Sequence, residues 1–230
     1  MLKNLKVLED QLGLHFQSQE LINQALVHRS YLNENRKFAV GNNERLEFLG
    51  DAVLELVVTE YLYKHYTNPE GDLTNWRASL VNSHMLAKLA RELNIEDFLY
   101  LSKGESKDKN TKARDQILAN CFEAITGAIY LEFGYQAAAK FIMERLLVKL
   151  DHILKNKLFL DPKTRFQESA QDKIGVTPHY KLIKEYGPDH DKHFVVGLYL
   201  NEEKISEGQG SSKQEAQIDA AAEGLKEKKW

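Results

Sequence analysis

The chain has 230 residues, 43% hydrophobic and 28% charged, with a formal net charge of −3. It can build a core, it is not intrinsically disordered, and its length suits one large or two ordinary domains. No uninterrupted apolar run approaches the roughly 20 residues that span a bilayer, and the start is a charged amphipathic segment without a signal peptide's apolar core, so no membrane partner is expected.

Residues 3–12 and 18–28 carry apolar residues at helical spacing. Gly13 suits the C′ position of the first helix, and Ser18 suits the N-cap of the second. His28-Arg29-Ser30-Tyr31 follows, where His28 reads as a hydrogen-bonding loop residue rather than a catalytic one. A polar loop over 33–42 leads into NNERLEFLGDAVLEL, residues 42–56, which continues as helix to about residue 64. This helix is apolar on nearly every side and should be buried. Glu44, Glu47 and Asp51 nevertheless share one of its faces at spacings of three and four. Unpaired buried carboxylates cost several kcal/mol each, on the order of magnitude, so the row must meet cations or water. A divalent metal and a salt-bridged structural helix with Arg45 as one partner both remain open at this point.

Asp72 reads as the N-cap of one long helix over 72–93. Residues 102–116 have no apolar period and hold five basic and three acidic residues, a solvated loop that could also lie against a polyanion. Residues 117–131 form a second helix apolar almost all round, with Asn120 and Glu123 at i, i+3. The single cysteine, Cys121, lies there as a small core residue and fits a reducing cytoplasm. Two such helices facing one another would pool Glu44, Glu47, Asp51, Asn120 and Glu123. An oxygen-only set suits Mg²⁺, with Mn²⁺ as a substitute. Gly134 breaks this helix, and another runs over 135–150. Residues 151–160 read as a linker.

From Asp161 the pattern changes. Asp161-Pro162 is an N-cap with Pro at N1. Three strand-like runs follow at 179–186, 193–201 and 203–210, and Ser211/Gln214 reads as the capping box of a last helix. Residues 161–230 hold 11 Lys and Arg against 13 Asp and Glu, so any nucleic-acid surface there must be a local patch. The fold class is an all-α N-terminal domain followed by a small α+β (α-β-β-β-α) domain.

Two stretches carry a resemblance. NERLEFLGD at 43–51, with EAITGAIYL at 123–131, resembles the ribonuclease III signature. The tail, with its Asp161-Pro162-Lys163-Thr164 start and Gly210-Ser211-Ser212-Lys213, resembles a double-stranded RNA-binding domain. The order of the two resembles bacterial ribonuclease III over essentially the whole chain. The resemblance implies a nuclease domain at 1–150, a linker at 151–160 and an RNA-binding domain at 161–230. It further implies a cytoplasmic homodimer formed by the nuclease domain that cuts both strands of double-stranded RNA, leaving 5′-phosphate and 3′-hydroxyl ends with short 3′ overhangs. Processing of rRNA and mRNA precursors is the family expectation.

By the same resemblance Glu47, Asp51 and Glu123 match metal-site acids, and Glu44 and Glu70 match acids of the cleavage valley. Glu44, Glu70, Asp51 and Glu123 are thus the expected catalytic residues, and Glu47, Asp51, Asn120 and Glu123 the expected metal ligands. Phe48 matches an aromatic at the subunit contact and competes there with a core role. Asn120 stands where the family commonly has Asp. Its amide oxygen can ligate Mg²⁺ but adds no charge, so metal affinity should fall. This departure supports an alternative, a double-stranded RNA-binding protein with weakened cleavage. In the tail, Thr164, Gln167 and Glu168 would meet one minor groove and His190 the next. Ser211, Ser212 and Lys213 would meet phosphates at a helix N-terminus. Gln214 and Gln217 stand where the family often has lysines. A carboxylate di-iron bundle is excluded, because no histidine has a glutamate three residues before it.

Overall fold

A computed structural model describes residues 3–107, 111–188 and 191–230. Of the expected site residues, His190 lies outside the described residues. The chain divides into two compact units, Met1–Lys155 and Asn156–Trp230. Among the described residues, no helix is long and apolar enough to cross a membrane.

The first unit is helical: α1 (Lys6–Leu12), α2 (Gln19–Ala25), α3 (Arg29–Glu34), α4 (Glu44–His65), α5 (Glu70–Leu80), α6 (Ser83–Glu92), α7 (Lys112–Arg145) and α8 (Leu150–Lys155). Local chemistry sets many ends. The Ser18 hydroxyl accepts from the Leu21 N–H, and Gly13 closes α1 at φ 71°, where a side chain would be strained. Gly134 interrupts α7 with φ 79° and ψ 178°.

The core lies where α4 crosses α7. Leu46, Val53, Leu54, Val57 and Val58 from α4 are buried, as are Leu118, Phe122, Ile125 and Ile129 from α7. Two glycines set the separation of the axes. A Cβ at Gly50 would stand 1.8 Å from the Glu123 carbonyl oxygen, and one at Gly127 would stand 2.3 Å from that of Leu46. Glycine in a helix interior costs about 1 kcal/mol relative to alanine. Here the close approach of two backbones requires it.

Several expectations change. The helix expected over 72–93 is two helices. Val81 leaves helical geometry, and Asn82 serves both ends: its amide donates to the Ala78 and Ser79 carbonyls, and its oxygen accepts from the Met85 N–H. Asp72 is not an N-cap, because α5 already begins at Glu70. The helix expected over 18–28 stops at Ala25, since Val27 bridges Tyr100, and a separate α3 follows with His28 as its N-cap. The solvated loop expected over 102–116 ends early. Thr111 caps α7, and Arg114 in its first turn is buried, donating to the Glu105 carbonyl and lying 3.7 Å from Glu96. The expected linker, 151–160, includes part of α8, where Leu150 and Ile153 are buried. α4 is not buried all round: Phe48 is 82% exposed and Tyr63 79%. Cys121 is a core residue, with Sγ 3.4 Å from the Ala25 carbonyl oxygen.

The second unit comprises α9 (Pro162–Ile174), β1 (His179–Tyr186), β2 (His193–Leu200), β3 (Glu203–Gly210) and α10 (Lys213–Lys228). The strands form one antiparallel sheet in the order β1-β2-β3. Asn201, at φ 52°, makes the tight β2–β3 turn. Phe166 and Ala170 of α9 join Leu198 and Leu200 of β2 and Ala220, Ala221 and Leu225 of α10 in one core. Asp161 caps α9, accepting from the Lys163 and Thr164 N–H groups. The last capping box is displaced by one residue: the Ser212 hydroxyl accepts from the Glu215 N–H, and the Glu215 carboxylate accepts from the Ser211 N–H.

Candidate functional site

The glycine crossing brings two polar rows together. On α4, Glu47 stands nearly one turn before Gly50 and Asp51 directly after it, and Glu123 is the residue whose backbone Gly50 meets on α7. The three carboxylates feel one another. Burial pushes the Glu123 carboxyl up to about 8, and the charges of Asp51 and Glu47 add to the rise. Glu47 is raised as well, by burial first, then by Glu44 and Asp51, while a hydrogen bond from the Asn120 amide opposes the shift. Glu47, Asp51 and Glu123 have no ion-pair partner among the described residues. Arg45 supplies none, so the salt-bridged helix with Arg45 as a partner is not what forms.

Asn120 has a defined place in this group. Its oxygen accepts from Gln116 Nε2 at 2.6 Å, and its amide donates to Glu47. An aspartate here would add a charge to an already repelling group. Glu44 lies at the edge, held by Arg29 at 3.3 Å and by Asn42 Nδ2 at 2.9 Å.

Among the described residues, no three His, Cys, Asp or Glu side chains are gathered so as to hold a metal ion by themselves. The donor chemistry still fits a hard divalent cation. The donors are all oxygens, the carboxylates lack cationic partners among the described residues, and the raised protonation of Glu47 and Glu123 is the mark of charge awaiting compensation.

Glu70 is not part of this group within one chain. It accepts from the Thr74 hydroxyl at 3.0 Å and lines a cavity of about 640 Å³ with Leu62, Tyr63, Tyr66 and Arg77. Leu62 is three helical turns beyond Asp51, about 16 Å along the axis. Phe48 has no core role, given its exposure. With Leu56 and Tyr63 it forms an exposed apolar stripe on α4, flanked by exposed Leu131 on α7.

The sequence reading missed four positioning residues. Gly50 and Gly127 were legible as glycines inside strong helical patterns, which need a packing reason. Arg29 left no sequence signal, because it meets Glu44 across the α3–α4 loop, whereas Asn42, two residues before Glu44, is a local partner that the reading passed over.

In the tail, the expected contacts lie on two helix starts. Thr164, Gln167 and Glu168 stand at i, i+3 and i+4 on the outer face of α9, and Ser211, Ser212 and Lys213 open α10. Lys163 Nζ donates to Gln217 Oε1 at 2.7 Å, tying the first turn of α9 to the second turn of α10. Three of the residues already have partners: the Thr164 hydroxyl donates to Asp161, Glu168 pairs with Lys157 at 3.5 Å, and the Ser211 hydroxyl donates to Glu215 at 2.6 Å. Lys213 is exposed, its ammonium 6.0 Å from the Phe194 ring centre.

Two family models match this chain. One, Ribonuclease-III-like, covers residues 18–150, and the other, the double-stranded RNA binding motif, covers 162–228. A protein named Ribonuclease 3 from a Nitratiruptor species is 45% identical over 98% of this chain and 97% of its own length. Ribonuclease 3 from Enterococcus faecalis is 44% identical over 95% of each. Two solved structures of the ribonuclease III nuclease domain of Campylobacter jejuni align with TM-scores of 0.56 and 0.55 at 41% and 42% identity. They cover 65% and 62% of this chain and 97% and 98% of their own, and one is described as flexible in a region involved in dimer formation.

Proposed function

This chain belongs to the ribonuclease III family and is an endoribonuclease with a double-stranded RNA-binding domain, and we propose that it cuts duplex RNA at the α4–α7 crossing in a divalent-metal-dependent reaction. The observation that carries this is the trio Glu47, Asp51 and Glu123: partly buried or mutually repelling, without cationic partners among the described residues, and fixed by two glycines.

In this reading Glu47, Asp51, Asn120 and Glu123 hold Mg²⁺ or Mn²⁺. The ion supplies acidification of a water and charge neutralisation at the scissile phosphate. The residues do the rest. The glycine contact holds the α4 and α7 carboxylates at fixed separation. Asn120 keeps the Glu47 carboxylate oriented through its amide. Arg29 and Asn42 hold Glu44 at the rim, where it orients RNA or water. Products carry 5′-phosphate and 3′-hydroxyl ends with short 3′ overhangs, and precursor rRNA and mRNA in the cytoplasm are the proposed substrates. The proposed domains are 1–150 for cleavage and 161–230 for RNA, joined through 151–160.

The exposed stripe Phe48, Leu56, Tyr63 supports a homodimer, since an apolar face of this kind needs a cover. A twofold axis perpendicular to α4 pairs the stripe with itself. It also sets the Glu70 end of one protomer beside the Glu47 and Asp51 end of its partner, which gives Glu70 a place in the valley. The departure at Asn120 does not favour the binding-only reading: its amide oxygen remains a ligand, and the three carboxylates stay.

The test is cleavage of a labelled RNA duplex with Mg²⁺, beside Glu123→Ala and Asn120→Asp. The parent should cut, Glu123→Ala should lose at least about 100-fold, and Asn120→Asp should need less Mg²⁺. A parent that binds but cuts only after Asn120→Asp would restore the binding-only reading. Cleavage that survives Glu123→Ala would refute the site.

A further inference from the structure

Gln116 and Asn120 stand at i, i+4 on α7, so their side chains meet on one face of that helix. Together with Glu47 they form a row of polar groups that crosses from α7 to α4. Gln116 Nε2 donates to the Asn120 oxygen at 2.6 Å, and the Asn120 amide donates to Glu47. The last member fixes the direction of the row. An ionised carboxylate accepts and cannot donate, so the nitrogen of Asn120 must face Glu47 and its oxygen must be met by a donor from elsewhere. Gln116 is that donor.

An asparagine at this position needs such a guide, and an aspartate would not. A carboxylate offers the same two oxygens either way round. An amide turned over exchanges its donor for its acceptor with almost no change of shape. Turned over here, Asn120 would set its oxygen against the Glu47 carboxylate, two acceptors face to face. The bond from Gln116 opposes that turn, and it leaves the second lone pair of the Asn120 oxygen open. Gln116 itself is exposed and lies outside the buried core, so the fold does not depend on it.

We propose that Gln116 is a positioning residue of the α4–α7 site: its amide fixes which way round Asn120 stands, aims the Asn120 donor at Glu47, and so sets how tightly the site takes a divalent cation. The inference rests on the proposed function. Gln116 acts through Asn120 and takes no part in the chemistry.

The experiment titrates the full chain with Mn²⁺, without RNA, and reads the free ion by electron paramagnetic resonance. Glu123→Ala marks the site. Gln116→Leu should weaken Mn²⁺ binding about tenfold, the usual cost of losing a group that orients a metal ligand. Its melting temperature in EDTA should stay within about 2 °C of the parent, as befits an exposed position. Gln116→Glu should weaken binding at least as much. Its carboxylate takes the Asn120 amide for itself and turns the oxygen toward Glu47, whereas charge alone would tighten binding. With Asn120→Asp already in place, Gln116→Leu should cost less than about threefold, because the two residues act as a unit. In cleavage, excess Mg²⁺ should rescue Gln116→Leu. Binding by Gln116→Leu within twofold of the parent, tighter binding by Gln116→Glu, or a full tenfold loss that persists beside Asn120→Asp overturns the proposal and leaves the proposed function standing. A parent that binds no Mn²⁺, or binds it equally after Glu123→Ala, sinks the proposed function and this inference with it.

Discussion

The two units treat their carboxylates in opposite ways. In the tail, acids are spent on local structure. Asp161 caps α9, and although burial pushes its carboxyl up, the Thr164 hydroxyl and the Thr164 and Lys163 N–H groups outweigh that and hold it below its ordinary value. Glu215 closes the start of α10, and Asp219 accepts from the Gln209 N–H at 2.8 Å. At the α4–α7 crossing the acids face one another instead, and Glu123 is pushed up to about 8. Carboxylates that are hydrogen-bonded by N–H groups stabilise the fold that holds them. Carboxylates left to repel destabilise the fold that holds them, a cost that a cation bound beside them would relieve.

The largest effects should come from the glycines that make each arrangement possible. Gly50→Ala forces a methyl group into the Glu123 backbone and should cost about 3 kcal/mol or more. It should abolish cleavage with it. Gly208→Ala, whose Cβ would stand 2.0 Å from the Ala220 nitrogen, should destabilise the tail instead. Urea unfolding followed at Trp76 and at Trp230, one in each unit, separates the two. A Gly50→Ala protein that unfolds and cuts like the parent would break the account of the crossing.

A smaller effect concerns pH. Glu123 has a folded pKa above its unfolded value, so between about 4.5 and about 8 the folded unit binds more protons than the unfolded one. Its contribution is favourable at low pH and is lost as pH rises through that window. In EDTA, the melting temperature of the nuclease unit should therefore fall from pH 5 to pH 8. Glu123→Gln should flatten the fall, and added Mg²⁺ should recover stability at pH 8. A parent with no such fall would show that the trio is not under mutual strain.

The smallest effect tests the tail. Gln214 and Gln217 offer no charge where lysines would, and Lys163 reaches across to Gln217 as a partial substitute. Residues 155–230 alone should bind duplex RNA weakly and with a shallow salt slope. A steep slope would mean that the tail carries more of the binding than its exposed cations suggest.

The sequence by itself determined a good deal. Spacing put Glu44, Glu47 and Asp51 on one helical face, and Asn120 and Glu123 on another, because helical periodicity is local. Ser18, Gly13 and Asp161 announced their helix ends for the same reason. The three strands were legible as short runs between turn residues, and the β2–β3 turn as Asn201-Glu202. Where two local signals competed, the reading slipped: Asn82 is both an end and a beginning, and Ser211 and Ser212 each make a plausible cap. Only the tertiary structure decided how close α4 and α7 come, that Arg114 is buried, that Phe48 and Tyr63 face outward, and that Glu70 stands three turns away from the acids with which its motif groups it. Each of these depends on which surfaces meet, and a periodic pattern fixes which face is apolar without fixing what covers it.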